Sequence, residues 1–195
     1  MKKKALFLFL LLILPILIFL FLKGFGRNEF TIPVYYEQGL GDSLSTPCLD
    51  RAKRQYYVNS NLVEEGKLKV IHFERIDGPL TLFRLEELER VQDVFGEDPE
   101  VALITSVNTA SMTVQEIEDY RNRVLFEDSF WERQALDSMA WAKLKYCDMA
   151  MSNLDNRVVL LDKQNRIRGY YNIAERDETD RLILELRILK TEIIE

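Results

Sequence analysis

Apolar and polar positions after residue 66 alternate in blocks that predict strands and helices in turn. Lys67–Phe73 and Val101–Val107 are nearly continuous apolar runs, which is typical of buried strands. Between them, Leu82–Phe95 repeats apolar residues at helical spacing, and Gly96 follows as a stop signal. Thr113–Val124 also has helical spacing and begins with a capping-box pattern. The pattern therefore predicts strand, helix, strand, helix.

The remaining third of the chain predicts a third helical stretch, a hairpin and a terminal helix. Arg133–Tyr146 is assigned to the helical stretch. Val158–Leu161 is a buried arm, and Arg166–Tyr171 is a second arm that alternates and has one solvent-facing side, after a short polar turn. The terminal helix has its apolar residues at spacings of one, three and four, namely Leu182, Ile183, Leu186, Leu189, Ile193 and Ile194.

This order of elements predicts an α/β domain with a mixed central sheet flanked by helices, as in the thioredoxin-like fold. A parallel β-α-β unit followed by an antiparallel hairpin produces such a sheet. We assign the domain to residues 62–195. The chain has 195 residues, and about 170 of them follow the N-terminal apolar segment, enough for one domain with a sizeable core.

The N-terminus predicts one transmembrane helix within residues 1–23. Ala5–Leu22 is an uninterrupted apolar run of 18 residues, about 27 Å long as a helix. Three lysines precede it, so the N-terminus is expected in the cytoplasm and the domain on the periplasmic side of the inner membrane. The alternative is a cleaved signal peptide, but no small-residue cleavage site follows Leu22.

Residues 24–61 are interpreted as a tether with an N-terminal extension of the domain. Glycine and proline interrupt this stretch, which leaves two short strand candidates, Phe30–Tyr36 and Gln55–Val58.

Charge and motifs exclude several classes of function. The net charge is −6, which argues against a nucleic-acid partner. The sequence contains no phosphate-binding glycine loop, nucleophile elbow or zinc-ligand spacing. We therefore expect no small-molecule substrate, and the acidic surface is explained by solubility alone.

The hairpin resembles that of the Sco (SenC) family, membrane-anchored thioredoxin-fold proteins that hold copper and assist cytochrome oxidase assembly. The strongest match is Arg157–Tyr171, read as R-V-V-L-L-D-K-Q-N-R-I-R-G-Y-Y. Weaker matches are spread from Gln55 to Leu189: Leu88, Val91, Gln92, Thr113, Ile117, Tyr120, Trp131, Asp180, Arg181 and Leu182. The resemblance implies the same fold and membrane topology.

The copper ligands of that family have no counterpart in this sequence. The family carries two cysteines after the first strand and a histidine before the hairpin. In this chain those positions correspond to Asp77, Thr81 and Leu154, and the family's Asp-Pro-Glu corresponds to residues 108–110. A carboxylate, a hydroxyl and a leucine cannot replace a soft copper site or perform thiol–disulfide exchange.

Cys48 and Cys147 are the only cysteines. In an oxidising compartment a structural disulfide between them is the default expectation, and it would close a loop of about 100 residues. Two separate thiols or a redox pair are the alternatives.

A rebuilt Cu(I) site is a further alternative. On an extended strand Cys147, Met149 and Met151 would share one face and offer soft sulfur ligands, with His72 as a fourth donor. The simpler interpretation is that these methionines and the single histidine are core residues.

We therefore expect a non-catalytic, membrane-tethered Sco-like protein without a cofactor. Its predicted role is to bind a protein as an assembly factor or accessory subunit of a respiratory complex such as cytochrome oxidase. The alternatives are a Cu(I) carrier and a thiol oxidoreductase.

Overall fold

The structure is a computed structural model that describes residues 2–25, 31–39, 58, 65–74, 80–110, 112–122, 131–151 and 157–192. The chain forms two compact units, Met1–Thr31 and Ile32–Glu195.

The first unit contains helix α1, Lys2–Phe25, with Pro15 inside it. Among the residues that the structure describes, which include only part of the α1 side chains, no helix is long and apolar enough to cross a membrane. The membrane anchor therefore stays a prediction.

The second unit is built around one five-stranded sheet. Its strands are β1 Leu68–Glu74, β2 Val101–Asn108, β3 Trp131–Leu136, β4 Arg157–Leu161 and β5 Ile167–Asn172. Its helices are α2 Leu80–Phe95, α3 Val114–Asn122, α4 Ser138–Ala142, a π-helical segment Lys143–Asp148 and α5 Arg176–Thr191. The strand order is β3-β2-β1-β4-β5. β1, β2 and β3 are mutually parallel, and the β4–β5 hairpin is antiparallel to β1, so the mixed sheet flanked by helices is confirmed.

The two faces of the sheet bury separate cores because successive side chains of a strand point to opposite faces. On β1, Leu68 and Val70 pack in the first core, together with apolar residues of α2 and α5. Ile71 and Phe73 pack in the second core, together with Trp141 of α4 and residues of the segments that follow it.

The predicted helical spacing of α5 agrees with the residues that it buries, and that of α2 agrees at Leu88, Val91 and Phe95 but not at Val94, which is 42% exposed. On α5, Leu182, Leu186 and Leu189 are buried in the first core. Arg90 of α2 pairs with Asp180 at the start of α5, so an ion pair joins the two helices.

The expected helix over Arg133–Tyr146 is wrong in its first part. Residues from Trp131 to Leu136 form strand β3, which pairs in parallel with β2 from Leu103 to Asn108. Helix begins only at Ser138, where the Asp137 carboxylate accepts a hydrogen bond from the Ala140 amide. Residues 132–136 are all good helix formers, so pairing with β2 overrides their local preference.

The strand expected at Phe30–Tyr36 is not formed by its described residues, 31–36. Pro33 has no amide hydrogen for a sheet ladder, and Tyr36 has a φ of 58°, which ends extended structure. A backbone hydrogen bond from the Tyr35 amide to the Ile167 carbonyl joins this stretch to β5, and the Arg168 side chain of β5 donates to the Ile32 carbonyl. Of the second strand candidate, Gln55–Val58, only Val58 is described.

Candidate functional site

The hairpin turn is organised by the Asp162 carboxylate. Its Oδ1 accepts hydrogen bonds from the amides of Gln164 (3.0 Å) and Arg166 (2.9 Å). Its Oδ2 accepts from Arg166 Nε (2.7 Å) and from the guanidinium of Arg168 (3.1 Å). Because Asp162 and Arg168 are both buried, this is an ion pair inside the protein.

Arg168 joins three distant parts of the chain. Besides Asp162, its guanidinium donates to the Ile32 carbonyl (2.7 Å) and to the Glu192 carboxylate at the end of α5 (2.7 Å). The expectation that this hairpin arm has a fully solvent-facing side is therefore wrong at Arg168, which is 2% exposed. The motif that carries the family resemblance thus holds the N-terminal extension, the hairpin and α5 together.

Asn165 completes the turn in a left-handed conformation with a φ of 60°. Its side-chain oxygen accepts from Lys69 Nζ (2.6 Å), and its carbonyl accepts from the Val58 amide (2.9 Å). Asn165 thereby joins Val58 of the N-terminal extension and Lys69 of β1 to the hairpin turn.

The positions where the family has copper ligands lie mostly outside the described residues. This applies to Asp77 and Leu154. Thr81 lies in the first turn of α2, directly after the connection from β1. The structure thus places one of the three, and only by its backbone.

His72 lies on β1 close to that connection, between Thr105 of β2 and Val158 of β4. It is 4% exposed, and neither ring nitrogen has a hydrogen-bond partner. Burial, and after it the positive charges of Arg84 and Lys145, together lower the pKa of His72 to about 3. The imidazole is therefore neutral at pH 7.

The four candidate copper ligands are not brought together. His72 shares a sheet face with Val70 and the first core, whereas Met149 and Met151 are buried in the second core. Cys147 is disulfide-bonded, so it offers no thiolate. Among the described residues there is no group of three or more His, Cys, Asp or Glu side chains arranged to hold a metal ion.

The donor set of this chain therefore does not fit the copper site of the family it resembles. His72 is a neutral donor, but the cations Arg84 and Lys145 that depress its pKa also oppose the approach of a copper ion. His72 does not share a sheet face with Met149 and Met151, so it would not join the rebuilt Cys/Met site as a fourth donor.

The disulfide of Cys147 has one possible partner within this sequence, since Cys48 is the only other cysteine. Cys48 lies outside the described residues, so the Cys48–Cys147 pairing stays a prediction.

An aromatic cluster around Trp141 was not predicted from the sequence. Trp141 packs edge-on against Phe73, with ring centroids 5.8 Å apart, and its indole nitrogen donates to the Ser106 carbonyl (3.3 Å). The ammonium of Lys145 lies 4.8 Å from the Trp141 ring centroid, a cation–π contact. A helical periodicity over Arg133–Tyr146 could not show this cluster, because it depends on the packing of the π-helical segment against β1 and β2.

The carboxyl ends of β2 and β3 meet at residues corresponding to the family's Asp-Pro-Glu. The Asn108 side-chain oxygen accepts from the Ala110 amide (2.9 Å) and from the Ser138 hydroxyl (3.2 Å). The Leu136 carbonyl accepts from the amide and the hydroxyl of Thr109. These contacts join the carboxyl end of β2 to the carboxyl end of β3 and to the start of α4.

The fold defines this protein as a thioredoxin-like α/β protein. It is similar to a SCO1/SenC family lipoprotein from Bacillus anthracis, with 13% identity and a TM-score of 0.53, covering 65% of this chain and 83% of that one. It is also similar to a candidate electron transfer protein from Aquifex aeolicus, with 16% identity and a TM-score of 0.52, covering 66% and 84% of the two chains. Neither a family model nor a curated protein matches the sequence. The resemblance to Sco structures inferred from the hairpin is thus found again in the fold.

Proposed function

We propose that this chain is a membrane-tethered, non-catalytic Sco-like protein that binds a protein partner outside the cytoplasm. Its role would be that of an assembly factor or accessory subunit of a respiratory complex such as cytochrome oxidase. Helix α1 would be the single-pass anchor in the inner membrane, with the folded unit on the periplasmic side.

The observation that carries this proposal is the combination of a Sco-like fold with a different donor set. The positions of the family's ligands hold Asp77, Thr81 and Leu154, and Cys147 is disulfide-bonded. The buried contacts of the hairpin, centred on Asp162 and Arg168, provide a structural reason for retaining that motif without the metal. A scaffold of this kind can serve recognition, since function depends on the site and not on the fold.

The test is co-purification of the detergent-solubilised full-length chain under conditions that preserve membrane complexes. We expect a respiratory-complex protein to be recovered in a fixed ratio, and an Arg168→Met variant, which loosens the fold, to recover less. Recovery of no envelope protein would contradict the proposal.

The copper alternative is tested on the same material by anaerobic Cu(I) titration. We expect no stoichiometric binding. Binding of one Cu(I) per chain that disappears in a Met149→Ala, Met151→Ala double variant would instead favour a copper carrier. A dithiol-dependent reduction of a test disulfide would favour the oxidoreductase.

A further inference from the structure

Helices α2 and α5 expose three large apolar side chains on one side of the sheet. They are Phe83 (37% exposed) and Val94 (42%) on α2, and Leu184 (56%) on α5. Both helices cover the first core, so these side chains lie on the same side of the molecule. Helix α4, in contrast, packs on the second core through Trp141.

Two ion pairs fix the alignment of α2 and α5. Arg90 of α2 pairs with Asp180 at the start of α5. Asp98, just after the end of α2, pairs with Lys190 in the last turn of α5. The two helices are therefore parallel and lie side by side between these two pairs.

Val94 and Leu184 lie between the two ion pairs. Each follows a residue of the first pair, Arg90 or Asp180, by four positions, which is about one turn along the same side of its helix. Phe83 precedes Arg90 by seven positions and therefore continues the same stripe of α2. We call this stripe from Phe83 to Val94, together with Leu184, the α2–α5 seam. It is about 16 Å long, at a rise of about 1.5 Å per residue.

The α2–α5 seam is a contiguous apolar surface that no described part of the chain covers. Leu184 faces away from the sheet, because Leu182 and Leu186, two residues to either side of it, are both buried. Single exposed apolar residues are common on protein surfaces, whereas apolar side chains aligned along two adjacent helices are typical of an interaction site.

The charges beside the seam differ between the two helices. Along α2 and the turn that follows it, four carboxylates make no ion pair with any described residue: Glu86, Glu89, Asp93 and Glu97. The cations of α2 are engaged, since Arg84 is buried and Arg90 pairs with Glu87 and Asp180. Along α5, the charged side chains without an ion pair to a described residue are Arg176, Asp177 and Arg187. The border of the seam on the α2 side is therefore acidic.

This charge distribution selects the kind of partner. A second copy of this chain brings more of these carboxylates than of these cations to the interface, so two copies would repel each other at the α2 border. An amphipathic helix with lysine or arginine along one flank is complementary to both the apolar stripe and its acidic border. About three turns of such a helix match the length of the seam.

We infer that the α2–α5 seam binds an amphipathic helix of the partner protein, with apolar side chains on Phe83, Val94 and Leu184 and with lysine or arginine side chains over α2. This inference rests on the proposed function, because it names the surface through which the partner is bound and the chemistry of the segment that binds there.

The experiment is site-specific photo-crosslinking of the full-length chain in the membranes of the cells that carry it. p-Benzoylphenylalanine replaces Val94, Leu184 or, as a matched control, Met139, an apolar residue of α4 that is 84% exposed. Cross-linked peptides are identified by mass spectrometry. We expect one and the same protein from positions 94 and 184, joined through a peptide with lysine or arginine beside its apolar residues, and no such product from position 139.

A charge change separates docking from general association. Asp93→Lys is expected to lower the cross-link yield from position 184 about tenfold, since the acidic border becomes repulsive to a basic flank. The control is Glu132→Lys, the same change of charge at an exposed position of β3, which pairs with Ile104 of the second core. It is expected to leave the yield unchanged. Because Asp93 is exposed, both variants should keep the unfolding midpoint of the unsubstituted chain within a few degrees, about the shift that 1 kcal/mol produces.

The outcomes distinguish this inference from the function on which it rests. If a partner co-purifies but cross-links only from position 139, or from none of the three positions, the α2–α5 seam is overturned and the proposed function stands. The same holds if the cross-linked peptide contains no lysine or arginine, if it belongs to a second copy of this chain, or if Asp93→Lys leaves the yield unchanged. If no protein co-purifies with the unsubstituted chain, the proposed function fails and this inference fails with it.

Discussion

The aromatic ring of Tyr171 lies directly over Gly169, two residues earlier on the same strand. A Cβ atom at Gly169 would approach Tyr171 Cζ to 2.6 Å and Cε2 to 2.8 Å. Tyr171 is fully buried in the first core, and its hydroxyl donates to the Glu185 carboxylate of α5. The glycine in the hairpin motif is therefore required by the close approach of this ring.

Gly169→Ala is expected to destabilise the protein by about 1–3 kcal/mol, because the buried ring cannot move away without repacking the first core. Chemical unfolding of the full-length chain in detergent measures this change. A Tyr171→Leu substitution in the same chain should recover part of the loss, since it removes the clashing atoms. The explanation would be contradicted if Gly169→Ala lowered the free energy of unfolding equally in the chain with Tyr171 and in the Tyr171→Leu variant.

Asp162→Ala is expected to cost about 3–5 kcal/mol, because it removes one of the two carboxylates paired with the buried Arg168, the other being Glu192, and also leaves two turn amides without their acceptor. The free energy of unfolding is the measured quantity. The control is Lys163→Met, which removes the more exposed pair with Glu100 and should cost at most about 1 kcal/mol. Similar costs for the two variants would show that the Asp162 pair has no special role.

The buried His72 predicts loss of stability in acid. Its pKa is lowered to about 3 in the folded protein, against an ordinary value of 6.5, so the unfolded chain binds the proton more readily. The contribution of the neutral imidazole to the free energy of unfolding is complete above pH 6.5 and is lost as the pH falls towards 3. The limiting slope of that free energy is about 1.4 kcal/mol per pH unit.

His72→Phe should remove this part of the pH dependence and leave stability at pH 7 little changed, because the ring nitrogens have no hydrogen-bond partner to lose. Unfolding measured at several pH values from about 3 to 8, a range that includes both pKa values, checks this. If the free energy of unfolding of the variant falls in acid as steeply as that of the unsubstituted chain, groups other than His72 cause the loss.

The predicted disulfide can be tested by comparing Cys48→Ser, Cys147→Ser and the double variant. If the two cysteines are paired, all three should lose the same stability, up to about 4–5 kcal/mol in the chain-entropy model for a loop of this size. Mass spectrometry under non-reducing conditions checks the bond directly. A larger loss in the double variant than in either single one would contradict the pairing.

Much of the fold could be predicted because the spacing of apolar residues along the chain indicates which residues are buried. The continuous runs at β1 and β2 and the helical spacing of α2 and α5 identify residues that must leave water, and the structure buries them. The turn at residues 162–165 was predicted for the same kind of reason, since its polar residues satisfy local backbone donors.

The candidate site was less predictable because it depends on contacts between distant segments. The sequence identified His72 as a lone histidine, but its face, its missing hydrogen bonds and the nearby charges of Arg84 and Lys145 belong to the packing. The same holds for Met149 and Met151, whose placement in the second core separates them from His72.

By itself the sequence determined the composition of the donor set: two cysteines, one histidine and no thiol or imidazole at Asp77, Thr81 and Leu154. Only the tertiary structure decided that Trp131–Leu136 is a strand, because pairing with β2 overrides the helical preference of its residues. It also decided that Arg168 is buried, because the ion pair with Asp162 compensates its charge there. The physical reason is that local patterns report which residues avoid water, whereas the partners that they meet there are set by chain segments far away in sequence.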